Sequence, residues 1–154
     1  MTAPAQCPYL PDRQERKVFT ELRGDEAGTL NEALSRVGFR RSQSVAYRPA
    51  CEGCSACISV RIIAQDYKAP KTMRRIMARN GDVTATFQEP KVTQEQYELL
   101  KRYLSKRHAD GGMADMSFLE YAEMVQHSPV TTSLVEYRLP PSEDQLLGLS
   151  LIHI

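Results

Sequence analysis

Thr93 to Leu139 reads TQEQYELLKRYLSKRHADGGMADMSFLEYAEMVQHSPVTTSLVEYRL, and this stretch decides the fold class. Thr93 followed three residues later by Gln96 is a capping box, so a helix begins here. Tyr97, Leu100, Tyr103 and Leu104 recur at helical spacing and form its apolar stripe. Gly111-Gly112 supplies a flexible turn. Ser117 with Glu120 caps a second helix, which turns Phe118, Tyr121, Ala122 and Val125 inward and ends at Pro129. Thr131 to Leu139 then reads as a strand closed by Pro140-Pro141, and Leu146 opens another. Two helices in succession followed by two strands break strict β-α-β alternation, so the class is α+β.

Working toward the N-terminus, Val83 to Phe87 reads as a strand, and Thr72 to Asn80 as a helix with Met73, Ile76 and Met77 inward. Ile58 to Ile63 alternates and is β-branched, which predicts another strand. Val45 to Tyr47 predicts a short one, broken by Pro49. Thr29 with Glu32 is a further capping box, which places a helix with Leu30, Ala33, Leu34 and Val37 on one face and a stop at Gly38. Residues 1–17 are Pro-rich and polar and read as an extended arm. There is no internal repeat.

The chain has 154 residues, 42% hydrophobic and 25% charged, the composition of a folded soluble protein. Collagen-like, disordered and transmembrane classes are excluded, because no apolar run approaches about 18 residues. The N-terminus lacks the basic-then-apolar build of a signal peptide, so a cytoplasmic location is expected. Net charge is +1, but residues 1–80 carry 14 Lys and Arg against 8 Asp and Glu, and residues 81–154 carry 6 against 11. The first half is the one suited to a polyanion. The last six residues, Leu149 to Ile154, can be encoded by the transposon end used as a sequencing adapter, and are expected to be foreign to the natural chain.

Three groups of residues can carry chemistry. Cys51, Cys54 and Cys57 lie at two-residue spacing, with Cys7 far upstream. Sulfurs so spaced can converge on one zinc ion or an iron–sulfur cluster, with Cys7 as the fourth ligand if the arm folds back; free thiols are the alternative. Gly38-Phe39-Arg40-Arg41-Ser42 and Tyr47-Arg48-Pro49, with Arg13, Arg16, Lys17 and Arg61 adding charge in the same half, combine cations, a hydroxyl and aromatic rings. Such a set can clamp phosphate and stack a base, or be a solvated basic face. Lys68, Lys71, Arg74, Arg75 and Arg79 form a third, basic group, either a second phosphate contact or a charged helix exterior. No Gly-x-Ser-x-Gly motif and no phosphate-cradling Gly-rich loop is present. His108 and His127 read as surface residues.

Cys7-Pro-Tyr-Leu-Pro11, Arg13-Gln-Glu-Arg16, Gly38 to Ser42, Tyr47 to Pro49 and the Cys51–Cys57 cluster together resemble the N-terminal domain of the arginyl-tRNA–protein transferase family, in its bacterial, leucyl-transferring branch. Tyr103 to His108, Phe118 to Tyr121 and Leu134 to Pro140 resemble the start of the family's acetyltransferase-like C-terminal domain. The resemblance implies an N-terminal domain over residues 1–80 and the beginning of the second over 81–148, with the fragment inactive alone. It implies transfer of leucine, with arginine the alternative donor, from charged tRNA to an N-terminal Asp or Glu of a protein, creating a degradation signal. The implied partners are aminoacyl-tRNA and an acidic protein N-terminus, with no membrane. An aminoacyl ester is already activated, so no cofactor is required for the chemistry. The implied roles are catalysis for Tyr47 and substrate or tRNA contact for Arg40, Arg41, Ser42, Arg48 and Arg61; the zinc or iron–sulfur reading of Cys7, Cys51, Cys54 and Cys57 rests on their spacing. A non-catalytic, metal-binding RNA module is the alternative, and a redox-sensing thiol protein a weaker one.

Overall fold

The first seventeen residues fold back on themselves. In the computed structural model, which describes residues 1–139 and 145–153, β1 (Ala5–Gln6) pairs antiparallel with β2 (Gln14–Glu15). Thr2 fastens the arm to the following strand: its N–H donates to the Lys17 carbonyl at 2.8 Å, and its hydroxyl accepts from the Lys17 N–H at 2.9 Å.

The chain forms two compact units, Met1–Gln65 and Asp66–Ile154. In the first, β3 (Lys17–Glu21), β4 (Arg40–Ser42) and β5 (Val45–Pro49) make an antiparallel sheet in the order β3-β5-β4. Helix α1 (Ala27–Arg36) connects β3 to β4. Leu22, Ala27 and Ala46 are buried at the centre of this unit.

Two expectations for this unit are corrected. Helix α1 begins two residues before Thr29, with Glu26 at the cap position and no side-chain cap, so the Thr29–Glu32 box does not form. Its buried residue is Ala27, while Leu30, Ala33 and Val37 are exposed. Ile58 to Ile63 forms no strand; Val60 is 90% exposed. Branched side chains favour a strand only where a neighbouring edge accepts the backbone hydrogen bonds, and none of the first unit's strands pairs with this segment. Gly38 does end α1, at φ +88, a conformation that favours glycine.

In the second unit, β6 (Thr84–Gln88), β7 (Thr132–Leu139) and β8 (Gln145–His153) form an antiparallel sheet in that order. Before it in the chain comes α2 (Lys71–Arg79); α3 (Gln94–Arg107) and α4 (Phe118–Gln126) lie between β6 and β7. Both of their capping boxes form as read: Thr93 Oγ1 accepts from Gln96 N at 3.2 Å, and Ser117 Oγ from Glu120 N at 3.3 Å. Hydrogen bonds from the Ser117 backbone and hydroxyl lower the Glu120 pKa.

Tyr121, Val125 and Leu134 form the core, with Val92, Tyr97, Leu100 and Leu151 packed around them. Tyr97 meets Phe118 edge-on at 5.6 Å and sends its hydroxyl to the Met116 carbonyl at 2.8 Å, so its polar end is satisfied where its ring is covered. Full burial of a side chain such as Leu134 contributes about 1.5–3 kcal/mol, which is how two exposed-faced helices are held to a three-stranded sheet. The sheet mixed with helices gives the expected α+β class. The expected Pro140-Pro141 break lies outside the described residues.

Candidate functional site

Strand register sorts the basic residues of the first unit. Arg40 on β4 stands directly opposite Tyr47 on β5, which in turn stands opposite Phe19 on β3. Residues directly opposite share a face and successive residues alternate. Arg40 and Tyr47 therefore share one face with Lys17 and Pro49. Arg41 and Arg48 lie on the other, with Ala46.

The two arginines of Arg40-Arg41 thus do different work. Arg41 is half-buried and donates to the Gln43 carbonyl in the turn between β4 and β5. Burial lowers its pKa. Arg40 is exposed and makes no ion pair among the described residues. Arg48 is held against the sheet: its guanidinium sits 5.2 Å from the Phe39 ring, and Nη1 donates to the Val37 carbonyl at 3.4 Å. Ser42 is exposed at the end of β4. Arg61 lies in the irregular segment after the cysteines and lines a shallow hollow with Glu32, Phe39 and Arg40.

The face of Arg40 and Tyr47 opens onto a cavity of about 500 Å³. All four cysteines line it, as do Arg13 and Lys17. Lys17 Nζ donates to Glu15 Oε1 at 2.8 Å, and this hydrogen bond to the carboxylate raises the Lys17 pKa. Arg13 and Arg40 remain as unpaired cations among the described residues. The sequence reading counted Arg13 only among the added basic residues of the first half; pairing of β1 with β2 brings it to the cavity.

Cys51 sits where β5 leaves the sheet, its sulfur 3.5 Å from the Arg16 N–H. Gly53, at φ +64, lets the chain turn back so that Cys54 follows, its N–H 3.4 Å from the Cys51 carbonyl. The arm brings Cys7 to the same cavity. Among the described residues, however, no three His, Cys, Asp or Glu side chains gather closely enough to hold one metal ion. Thiolates in a zinc centre lie about 2.3 Å from the ion; these four thiols line a cavity wall and, as placed, do not close on a single zinc ion.

A polar cluster in the second unit escaped the sequence reading. Gln96 and Glu136 are both buried, and Gln96 Nε2 donates to Glu136 Oε1 at 2.8 Å. Arg138 Nε donates to Glu136 Oε2 at 3.0 Å, and its Nη2 reaches Glu95 Oε2 at 2.6 Å. A Glu in the middle of the apolar run Leu134-Val135-Glu136-Tyr137 was the available signal. No helix among the described residues is long and apolar enough to cross a membrane.

Comparison with known proteins places this geometry in a family. Residues 5–75 match the family described as arginine-tRNA-protein transferase, N terminus, and residues 95–154 match its C terminus. The chain is 58% identical over 140 residues to a protein of Sphingomonas elodea named aspartate/glutamate leucyltransferase, covering 91% of this chain and 54% of that one. Proteins of the same name from Parvibaculum lavamentivorans and Rhodopseudomonas palustris (strain BisA53) are each 56% identical, over 91% and 100% of this chain and 58% and 62% of theirs. The chain therefore spans little more than half the length of the curated relatives it matches. No solved structure matches it. With both parts of one family matched in order across most of its residues, the chain belongs to the arginine-tRNA–protein transferase family.

Proposed function

We propose that this chain contributes the N-terminal unit and the beginning of the second unit of an aminoacyl-tRNA–protein transferase, one that moves leucine, with arginine the alternative donor, from charged tRNA to an N-terminal Asp or Glu and so marks the acceptor for degradation. The observation that carries the reading is the cationic, aromatic cavity where Arg40 stands opposite Tyr47 in a chain of this family. The relatives named aspartate/glutamate leucyltransferase support the acidic acceptor and the leucyl donor.

The chemistry asks little of the protein beyond placement. The acceptor's neutral α-amine attacks the carbonyl carbon of the aminoacyl ester. A C–N bond forms, the ester C–O bond breaks, and the terminal hydroxyl of the tRNA leaves with a proton surrendered by the amine. The ester is already activated, so no cofactor is needed. Holding amine and ester together supplies much of the rate, and a hydrogen-bond donor aimed at the tetrahedral oxyanion supplies more. Tyr47 is the candidate donor. Arg40, with Arg13, is suited to the acceptor carboxylate or a tRNA phosphate. Arg48 and Arg61 are the candidates for RNA contact on other parts of the unit. Charged tRNA is a cytoplasmic species, which supports that location.

The test is donor competition. The product of the complete open reading frame is incubated with leucyl-tRNA and arginyl-tRNA, each carrying a distinct label, and a peptide beginning with Asp. Preferential transfer of the leucyl label supports the reading. Transfer of arginine alone reassigns the branch, and transfer of neither rejects it.

A further inference from the structure

We infer that α2, together with Lys68, is a second phosphate-contacting element for the tRNA, separate from the Arg40 cavity. The inference rests on the transferase reading and extends it to a helix to which that reading gave no role.

Residues 68–79 hold five cations, Lys68, Lys71, Arg74, Arg75 and Arg79, and no acidic residue. On a helix advancing about 100° per residue, Lys71, Arg74, Arg75 and Arg79 fall in one sector about 140° wide. Met73, Ile76 and Met77 fall in the opposite sector. Lys71, Arg75 and Arg79 succeed one another along one ridge at about 6 Å of rise.

None of these cations forms an ion pair among the described residues. Arg74 donates only to the Ala69 carbonyl, at 3.2 Å. The other helices differ. Arg36 on α1 pairs with Glu32, and α3 interleaves Glu95 and Glu98 with its four cations. Every residue of α2 is exposed. Unneutralised charge of one sign repels itself, and a nine-residue helix is marginal in water. A polyanion laid along the ridge relieves the repulsion, and three of the four helical cations are Arg, whose guanidinium takes phosphate oxygens in pairs. A membrane surface is the less suited anion, since the opposite sector offers three side chains and no aromatic anchor.

The experiment measures binding of fluorescently labelled, uncharged tRNA to the 154-residue chain by anisotropy over a series of salt concentrations. Three variants accompany it: Lys71→Ala/Arg75→Ala/Arg79→Ala, the charge-retaining Arg75→Lys/Arg79→Lys, and Lys101→Ala/Lys106→Ala/Arg107→Ala on α3 as a control for overall charge. Alanine favours helix, so the first variant keeps α2, and circular dichroism checks it. Loss of three phosphate contacts lowers the slope of log affinity against log salt by about 2 to 3. We expect that change, with at least about a tenfold loss of affinity at moderate salt, in the α2 triple variant alone. An unaltered affinity and slope, or an equal loss in the α3 control, overturns the assignment of α2 and leaves the transferase reading standing. Binding to anionic phospholipid vesicles but not to tRNA, or no tRNA binding at any salt concentration, likewise overturns the assignment of α2, while the transferase reading is decided by donor transfer with the product of the complete open reading frame.

Discussion

Arg40 and Arg41 are neighbours in sequence that face opposite sides of one strand. Arg40 stands over the thiol-lined cavity opposite Tyr47; Arg41 stands opposite Ala46 and ties down the turn at Gln43. A pair of adjacent arginines is easily read as a single clamp, and the pleat forbids it.

Different losses follow from replacing each. Arg40→Ala should leave the unfolding free energy within about 0.5 kcal/mol of the parent, since it removes an exposed, unpaired side chain. It should weaken tRNA or acidic-peptide binding. Arg41→Ala should cost about 1 kcal/mol of stability, through its lost hydrogen bond and buried stem. Denaturant titration and binding measured on both variants check the split, and equal stability losses would show that register does not separate their roles.

Gln96 joins two devices, the cap of α3 and the buried hydrogen bond to Glu136. Gln96→Ala should therefore destabilise the second unit more than Ser117→Ala, which removes one cap at a cost of about 1 kcal/mol. The extra loss arises because a buried carboxylate oxygen is left with one partner fewer. Unfolding followed by a probe in the second unit would rank the two.

Acid should act through the same carboxylate. Burial pushes the Glu136 pKa up, but hydrogen bonds from Gln96 and Arg138, with the charge of Arg138, outweigh it and hold it below the ordinary value. A depressed native pKa means that the unfolded chain takes up the proton first. The stability contributed is complete above the unfolded pKa of about 4.3 and is lost as pH falls through the native one. Glu136→Gln should be less stable than the parent at pH 7 and lose less on acidification below about pH 4. Thermal unfolding of both proteins from pH 7 to 3 measures this; parallel pH profiles would contradict it.

Gly53 occupies the left-handed region at φ +64 with open space where a Cβ would stand. Gly53→Ala should thus cost about 1–2 kcal/mol through backbone strain alone. It should also alter how fast Cys51 and Cys54 react with an alkylating reagent, because it reshapes the turn that separates them. Mass spectrometry of timed alkylation reports both sites at once.

What the sequence revealed and what it hid divide along a physical line. The caps at Thr93 and Ser117 are local devices, satisfied within a few residues, and they were legible; the strands from Thr84, Thr132 and Gln145 were legible from their composition and find their edges in one another. Ile58 to Ile63 was misread because a strand needs an edge supplied from elsewhere in the chain. The start of α1 was misread because burial of Ala27 outweighed a cap available at Thr29. In the site, the residue types were legible, but their sorting onto two faces followed only from register. Arg13 joined the cavity through pairing of the arm, and Gln96 with Glu136 through a contact forty residues long in sequence. The four cysteines line one cavity, and lining a cavity is looser than closing on one ion.

The proposed reaction passes leucine from tRNA to an acidic N-terminus. The most direct measurement is the intact mass of three peptides, differing only in an N-terminal Asp, Glu or Ala, after incubation with leucyl-tRNA and the product of the complete open reading frame. The account predicts a gain of one leucine residue on the Asp and Glu peptides and none on the Ala peptide, with the gain reduced by Arg40→Ala. Equal gain on all three would contradict the acidic acceptor, and no gain on any would contradict the transferase.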